Sequence, residues 1–402
     1  MTTLRRRPLR TLLFSTLYPS SVRPSHGIFV ETRLRHLLAT GDVDVRVVAP
    51  VPWFPFASPA FGDWAKMAGT PGFEEHNGVR VSHPRYVLPP KIGMNIAPLM
   101  LALGARASVA RLIADGFDFD LIDAHYYYPD GAAAALLARW FGKPFVVTAR
   151  GTDLNLIPQY AIPKRWILWT ESRAAASIGV CSALMDELVS LGGNRDKAHV
   201  LRNGVDLSLF APVAQVECRA RLGLPAGRLL LSVGHLVERK GHHIAIEALT
   251  RLSDCSLAIV GTGQEEGRLK ALAEALSVSD RVHFAGAQPQ RELKYWYGAA
   301  DALVLCSSRE GWANVLLESM ACATPVVATS IWGTPEVVTS KAVGRLMDER
   351  TPESLVESVQ ALLAEYPDRA AVRAYAEKFD WADTTSGQLR LFDEVVRAHR
   401  NP

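Results

Sequence analysis

The 402-residue chain has only five cysteines, Cys181, Cys218, Cys255, Cys306 and Cys322, widely spaced and without a C-x-x-C pair. That argues against a disulfide framework and a cysteine-built zinc site, and it suits a reducing compartment. A surplus of either charge is also missing: 44 Lys+Arg against 41 Asp+Glu leave a net charge of +3. Binding nucleic acid through its phosphates needs a far larger positive excess, so no nucleic-acid partner is expected. Long apolar runs are scarce too, and a bilayer-crossing helix takes about 20 residues. The most membrane-like stretch, Ile96 to Ala110, is interrupted by Pro98, Gly104 and Arg106; no transmembrane helix is expected there. Near the start, Arg5, Arg6, Arg7 and Arg10 precede Thr11-Leu12-Leu13-Phe14, a short apolar run that soon meets Tyr18-Pro19. It reads as a basic tail entering a first strand, with a secretion signal as the alternative.

What is there describes a packed protein. Hydrophobic residues make up 49% and charged ones 21%, which excludes intrinsic disorder, and the length suits two domains of about 200 residues each. Short apolar runs alternate with helical patterns, as in βαβ units that build parallel sheets. The first half offers strands at Thr11–Ser15, Val45–Ala49, Leu121–Ala124, Phe145–Thr148, Ile178–Cys181 and Val200–Leu201, with helices at Phe29–Leu38 and Gly131–Trp140. After Asn203-Gly204-Val205-Asp206 the pattern restarts, at Leu229–Val233, Leu257–Val260, Val282–Ala285, Ala302–Leu305 and Val326–Ala328. Two doubly wound, Rossmann-like α/β domains are therefore expected, residues 1–205 and 206–380. The pattern at 381–402 predicts a terminal helix that crosses back to the first domain. Parallel sheets bind ligands beyond the carboxyl ends of their strands, so two such domains would face each other across a cleft.

The richest stretch runs from Ser307 through Glu310, Gly311, Asn314, Val315 and Glu318 to Val327. It leaves a strand, turns at Gly311 and enters a helix predicted over 314–322, whose first N–H groups and dipole suit a phosphate. Glu310 stands just before that helix, and 318 − 310 = 8 puts Glu318 about two turns into it. Alone, the two carboxylates could equally be a dipole cap and a surface glutamate. Asp118-Phe119-Asp120 has the form of a metal-binding D-x-D, but its place before a strand makes it a turn with solvated carboxylates. His242-His243 cannot aim both rings at one ion from neighbouring helix positions. No metal site is expected.

The stretch from Ser307 resembles the E-x7-E signature of the family-4 retaining glycosyltransferases, which have the GT-B fold. The resemblance extends through Val233-Gly234-His235-Leu236-Val237-Glu238-Arg239-Lys240-Gly241, Ile259-Val260-Gly261-Thr262-Gly263, Arg281-Val282-His283-Phe284-Ala285-Gly286 and the joint Asn203-Gly204-Val205-Asp206. In the first half it is looser, resting on His26-Gly27-Ile28-Phe29, Asp123-Ala124-His125-Tyr126 and Ala149-Arg150-Gly151-Thr152-Asp153. It implies an enzyme moving a sugar from a nucleotide-diphosphate sugar to an acceptor hydroxyl with retention, and no cofactor beyond that donor. By resemblance, Arg239 and Lys240 hold the diphosphate with backbone near Gly311 and Asn314, Glu318 takes the ribose hydroxyls, Glu310 faces the donor sugar, and His125 lies near it from the other domain. Gly27 and Gly234 are the matching loop glycines. For His125 a buried histidine satisfied by backbone is the competing reading. A departure is His235, where these enzymes commonly have arginine.

The acceptor is expected to be a glycan or lipid-linked intermediate of bacterial envelope or exopolysaccharide assembly, which places the chain in the cytoplasm at the inner face of the membrane. Trp53, Phe54, Phe56, Phe61 and Trp64 crowd one expected loop; they would touch either the bilayer interface or the acceptor. A nucleotide-sugar epimerase, a phosphorylase, or a non-catalytic nucleotide-sugar-binding partner are the alternatives.

Overall fold

The computed structural model describes residues 7–56, 58–89 and 92–401; Arg5 and Arg6 of the basic tail lie outside them. The chain divides into two compact units, one running to Leu201 and resuming at Ala382, the other Arg202–Trp381. The first division thus falls a few residues before Val205. Val205 N donates to Phe379 O at 2.8 Å, and a Cβ on Gly204 would stand 2.7 Å from Asp380 C. These contacts tie the 203–206 segment to the second unit.

The first unit holds β1 (Leu9–Phe14), β2 (Val43–Val48), β3 (Val51–Pro52), β4 (Phe73–His76), β5 (Val79–Ser82), β6 (Arg85–Tyr86), β7 (Leu121–His125), β8 (Phe145–Ala149), β9 (Ala176–Gly179) and β10 (Ala198–Val200). Eight form one sheet in the order β10-β9-β8-β7-β1-β2-β5-β4, and β3 pairs with β6 apart from it. All its pairs are parallel except the β4–β5 hairpin. That hairpin turns at Asn77-Gly78 with φ of 50° and 78°, as a tight two-residue turn requires. β7 and β8 are buried along their whole length, as strands covered on both faces must be. The terminal helix Trp381–Arg400 packs Leu391, Phe392, Val395 and Val396 into the core with Leu13, Val146 and Ile178.

The apolar stretch around Ile96 is not interrupted. Gly93–Ala114 is one 22-residue helix with Pro98 inside it, long and apolar enough by length and composition to cross a membrane. A proline interior to a helix frees the carbonyl four residues back. Here that carbonyl is Met94 O, and the Tyr128 hydroxyl donates to it. Gly104 lets the helix approach β6: a Cβ there would meet Arg85 O at 2.5 Å. Ala97, Leu101, Ala105 and Val109 turn inward, while Met94, Leu99 and Leu103 stay exposed.

The D-x-D segment also differs from a solvated turn. Asp118 is exposed and pairs with Lys143, but the Asp120 side chain is only 9% exposed. It accepts from Arg7 and Arg400 side chains and from Arg10 N, tying the terminal helix to the entry of β1.

The second unit holds β11 (Arg228–Val233), β12 (Cys255–Val260), β13 (Val282–Gly286), β14 (Ala302–Leu305), β15 (Val326–Thr329) and β16 (Gly344–Met347). They form one parallel sheet in the order β13-β12-β11-β14-β15-β16. Winding reverses between β11 and β14 here, and between β1 and β7 in the first unit. A doubly wound sheet opens its ligand crevice at that switch.

Candidate active site

The loops that leave β11 and β14 flank the switch of the second unit, and they are joined. Gly241 has φ of 71°, and a Cβ on it would stand 2.0 Å from Cys306 O; only glycine lets the first loop lie so close to the end of β14. Ser308 N donates to Arg239 O at 2.8 Å, and Arg239 Nη1 reaches Arg309 O at 3.5 Å. Lys240 Nζ donates to Glu310 Oε1 at 2.6 Å, and Ser307 Oγ donates to the same oxygen at 2.7 Å. Thr329 Oγ1 holds Ser307 O at 2.8 Å. The Lys240 and Glu310 side chains are 14% and 9% exposed, so this is a nearly buried ion pair at a strand end.

Arg239 and Lys240 precede a helix rather than begin it. Glu238–Lys240 is a single tight turn, and the helix starts at His242 after left-handed Gly241. The two histidines diverge: His242 is buried between Ser232 Oγ and His235 O, at 2.8 and 3.2 Å. Burial pushes its ring down to about 4, so it is a neutral core residue.

The helix after Gly311 is Asn314–Ala321, which puts Glu318 one turn inside it rather than two. Gly311 is buried, and Asn314 and Val315 are half-buried at its start. Asn314 Oδ1 accepts from Asn203 at 3.2 Å. Glu318 Oε2 accepts from the Tyr297 hydroxyl at 2.7 Å. Burial lifts the Glu318 carboxyl to about 7, and the Tyr297 hydrogen bond opposes the rise. Gly234, with φ of 154°, leads into the first loop above the Lys240 stem.

In the first unit the loops after β1 and β7 flank the switch. Gly27, with φ of 69°, caps the helix Ile28–Ala39, and a Cβ on it would meet Leu17 C and O at 2.3 Å. His125 ends β7 instead of following it, and it is 1% exposed. Its Nε2 lies 3.2 Å from Asp123 Oδ2 and its Nδ1 2.6 Å from Arg150 Nη2. Both partners are side chains, not backbone. Tyr126 follows with φ of 82°, an uncommon conformation for a bulky residue that concentrates at functional turns. Asp153 accepts from the N–H groups of Tyr127, Arg150 and Gly151, which locks the loop after β8 to the turn after β7.

Sequence reading missed the roles of Tyr297 and Ser307. Asp123 carried a usable signal, because residues two apart on a strand share a face. The expected aromatic loop is partly helical, with a helix at Asp63–Ala68. Phe54 is its hub, with ring centroids of Phe56, Phe61 and Trp64 at 5.3–5.9 Å. Among the described residues, no three His, Cys, Asp or Glu side chains come together as metal ligands would.

Two doubly wound parallel sheets, each with charged loops at its switch, define a GT-B protein, and similarity to known proteins agrees. Residues 27–209 match the family described as Glycosyltransferase Family 4, and residues 217–379 the family Glycosyl transferases group 1. A D-inositol 3-phosphate glycosyltransferase of Frankia alni is 35% identical over 307 residues, 69% of this chain and 75% of that protein. A candidate teichuronic acid biosynthesis glycosyltransferase of Bacillus subtilis, TuaC, is 29% identical over 363 residues, 87% and 88% of the two chains. Among solved structures, Anabaena HepE with UDP-glucose superposes with a TM-score of 0.72 at 18% identity, over 96% of this chain and 100% of that one. The chain belongs to the family-4 glycosyltransferases and is a glycosyltransferase.

Proposed function

We propose that the protein transfers a sugar from a nucleoside-diphosphate sugar to an acceptor hydroxyl, with retention and without a divalent ion. The observation that carries this reading is the pair of joined loops at the β11/β14 switch. They gather Arg239, Lys240, Glu310 and the start of the Asn314 helix into one place. A leaving diphosphate needs fixed positive charge and amide donors, and preorganised groups of that kind supply several kcal/mol. Arg239 and Lys240 supply the charge, Glu318 takes ribose hydroxyls, and Glu310 lies toward the sugar. The retained configuration follows a front-face route in which the leaving phosphate accepts the acceptor proton. The UDP-glucose bound to HepE supports the donor class.

The acceptor is a lipid-linked intermediate of envelope polysaccharide, and the first unit docks on the cytoplasmic face of the membrane. TuaC's name supports the pathway class. The docking surface combines the aromatic lobe with the outer face of the helix Gly93–Ala114. Trp53, Phe56, Phe61, Trp64, Met94, Leu99 and Leu103 are exposed by 38% to 55% there. Such amphipathic aromatic and aliphatic groups bind bilayer interfaces.

The test incubates radiolabelled nucleotide sugars with membrane lipid extract, with and without EDTA, and reads the anomeric configuration of the product by NMR. Retained configuration in both conditions is expected. Inverted product, epimerised donor, phosphorolysis or complete loss with EDTA would overturn the reading.

A further inference from the structure

One buried chain of side chains in the first unit has a single self-consistent set of protons. Gln388, on the terminal helix and 1% exposed, lies 2.8 Å from Arg33 Nε through its Oε1 and 3.0 Å from Asp123 Oδ2 through its Nε2. An arginine only donates, so the amide oxygen faces Arg33 and the amide NH₂ faces Asp123. The Asp123 carboxylate accepts, so the His125 nitrogen 3.2 Å from it carries the proton. Arg150 donates to the other nitrogen at 2.6 Å. These four contacts are all donor-to-acceptor only if His125 is neutral and protonated at Nε2. A histidine tautomer is set by what the second nitrogen bonds.

We infer that Gln388 is a positioning residue: from the terminal helix it holds Asp123, which fixes the tautomer and ring orientation of His125. The inference deepens the proposed function and rests on it for the role of His125. Two further observations agree. Gln388 and His125 are the two donors to Asp123 Oδ2, and Asp123 Oδ1 has no partner among the described residues; the amide is therefore half of what anchors that carboxylate. Burial drives the His125 ring down to about 4, with Asp123 opposing and Arg150 and Arg33 reinforcing. The terminal helix thus does more than cover the core through Leu391 and Phe392, because its one buried amide reaches the end of β7.

The test uses the full chain labelled with ¹⁵N-histidine, with His125 assigned by its loss in His125→Gln. Gln388→Glu keeps the acceptor for Arg33 and removes the donor to Asp123; Gln388→Met removes both. Circular dichroism confirms folding, and Gln388→Glu serves if Gln388→Met does not fold. In wild type the His125 ring is expected to stay neutral and Nε2-protonated from pH 8 down to about 5. In the variants it should populate the other tautomer or titrate at higher pH, since a donor to the neighbouring carboxylate is gone. Turnover should fall about 10-fold or more, as for other orienting groups behind a reacting residue. Nucleoside-diphosphate affinity, a property of the second unit, should stay within about twofold. Unchanged tautomer and titration in a folded variant overturn the inference, as does an altered tautomer with wild-type turnover. If His125→Gln also transfers at the wild-type rate, the fault lies with the role assigned to His125.

Discussion

Lys240 Nζ and Glu310 Oε1 are 2.6 Å apart, so the cation proposed to hold a diphosphate is already neutralised by the carboxylate proposed to face the sugar. On the proposed function, an incoming phosphate competes with Glu310 for Lys240. Replacing Glu310 by Gln should free the ammonium: nucleoside-diphosphate affinity holds or rises severalfold while turnover drops, by one to two orders of magnitude. Replacing Lys240 by Met should lower affinity and also leave Glu310 stranded, destabilising the fold by about 3–5 kcal/mol. Calorimetric titration beside steady-state rates checks the first, denaturant unfolding the second. Wild-type affinity and turnover in Glu310→Gln would remove it from the site.

Glu318 gives a pH dependence with a definite sign. Its folded pKa, about 7, lies above the ordinary 4.5 because the carboxyl is buried. The folded state holds its proton longer than the unfolded chain, so the stabilisation is full below about pH 4.5 and is lost as pH rises through 7. Glu318→Gln should then be more stable than wild type at pH 8, by on the order of 1–3 kcal/mol. If Glu318 takes the ribose as proposed, the hydroxyls bind its ionised form, so nucleotide affinity should fall as pH drops from 8 to 5.5, with proton release on binding. Tyr297→Phe removes the bond that restrains the rise and should move this midpoint upward. Affinity independent of pH, with no proton released, would show that Glu318 does not take the ribose.

Much of this site is legible in the sequence because parallel strands read as apolar runs and their exits carry polar residues. Ala302–Leu305 followed by Ser307 and Glu310 shows both features. The strands that escaped are those with little buried surface. Phe73–His76 has no buried residue and Val79–Ser82 only one, Val81, and their hairpin is announced only by Asn77-Gly78. The helix Gly93–Ala114 was obscured by Pro98, whose missing N–H is replaced by a Tyr128 hydroxyl distant in sequence. Gln388 and Arg33 could not be linked to His125 because 388 − 125 = 263 residues separate one pair and no periodicity spans such a distance.

The aromatic lobe offers a test of location. Changing Trp53, Phe56, Phe61 and Trp64 to Ser leaves the half-buried hub Phe54 in place and removes the exposed rings. Each ring buried in a bilayer is worth roughly 1.5–3 kcal/mol, so co-sedimentation with anionic liposomes should drop by more than tenfold. Unchanged sedimentation with reduced transfer would assign the lobe to the acceptor instead.

The exposed His235 and half-buried Arg239 set up the most discriminating experiment. A histidine stands where family members commonly carry the permanent charge of an arginine. Lys240 is engaged by Glu310, whereas among the described residues the Arg239 guanidinium is held only by a long 3.5 Å contact to Arg309 O. Its backbone is fixed by Ser308, so the side chain starts from an anchored point and can pair two phosphate oxygens. Arg239→Ala should therefore weaken nucleoside-diphosphate binding at least as much as Lys240→Ala, by roughly 10- to 100-fold for a lost charge-assisted bond. His235→Ala should lose less than threefold at pH 8, because an imidazole lacks the permanent, forked charge of a guanidinium. Because Glu318 shifts affinity with pH in every variant, the comparison is the ratio of variant to wild type at each pH. Wild-type affinity in Arg239→Ala, with a large loss in His235→Ala at pH 8, would mean that the imidazole binds phosphate as a neutral donor and that Arg239 has not replaced the missing charge.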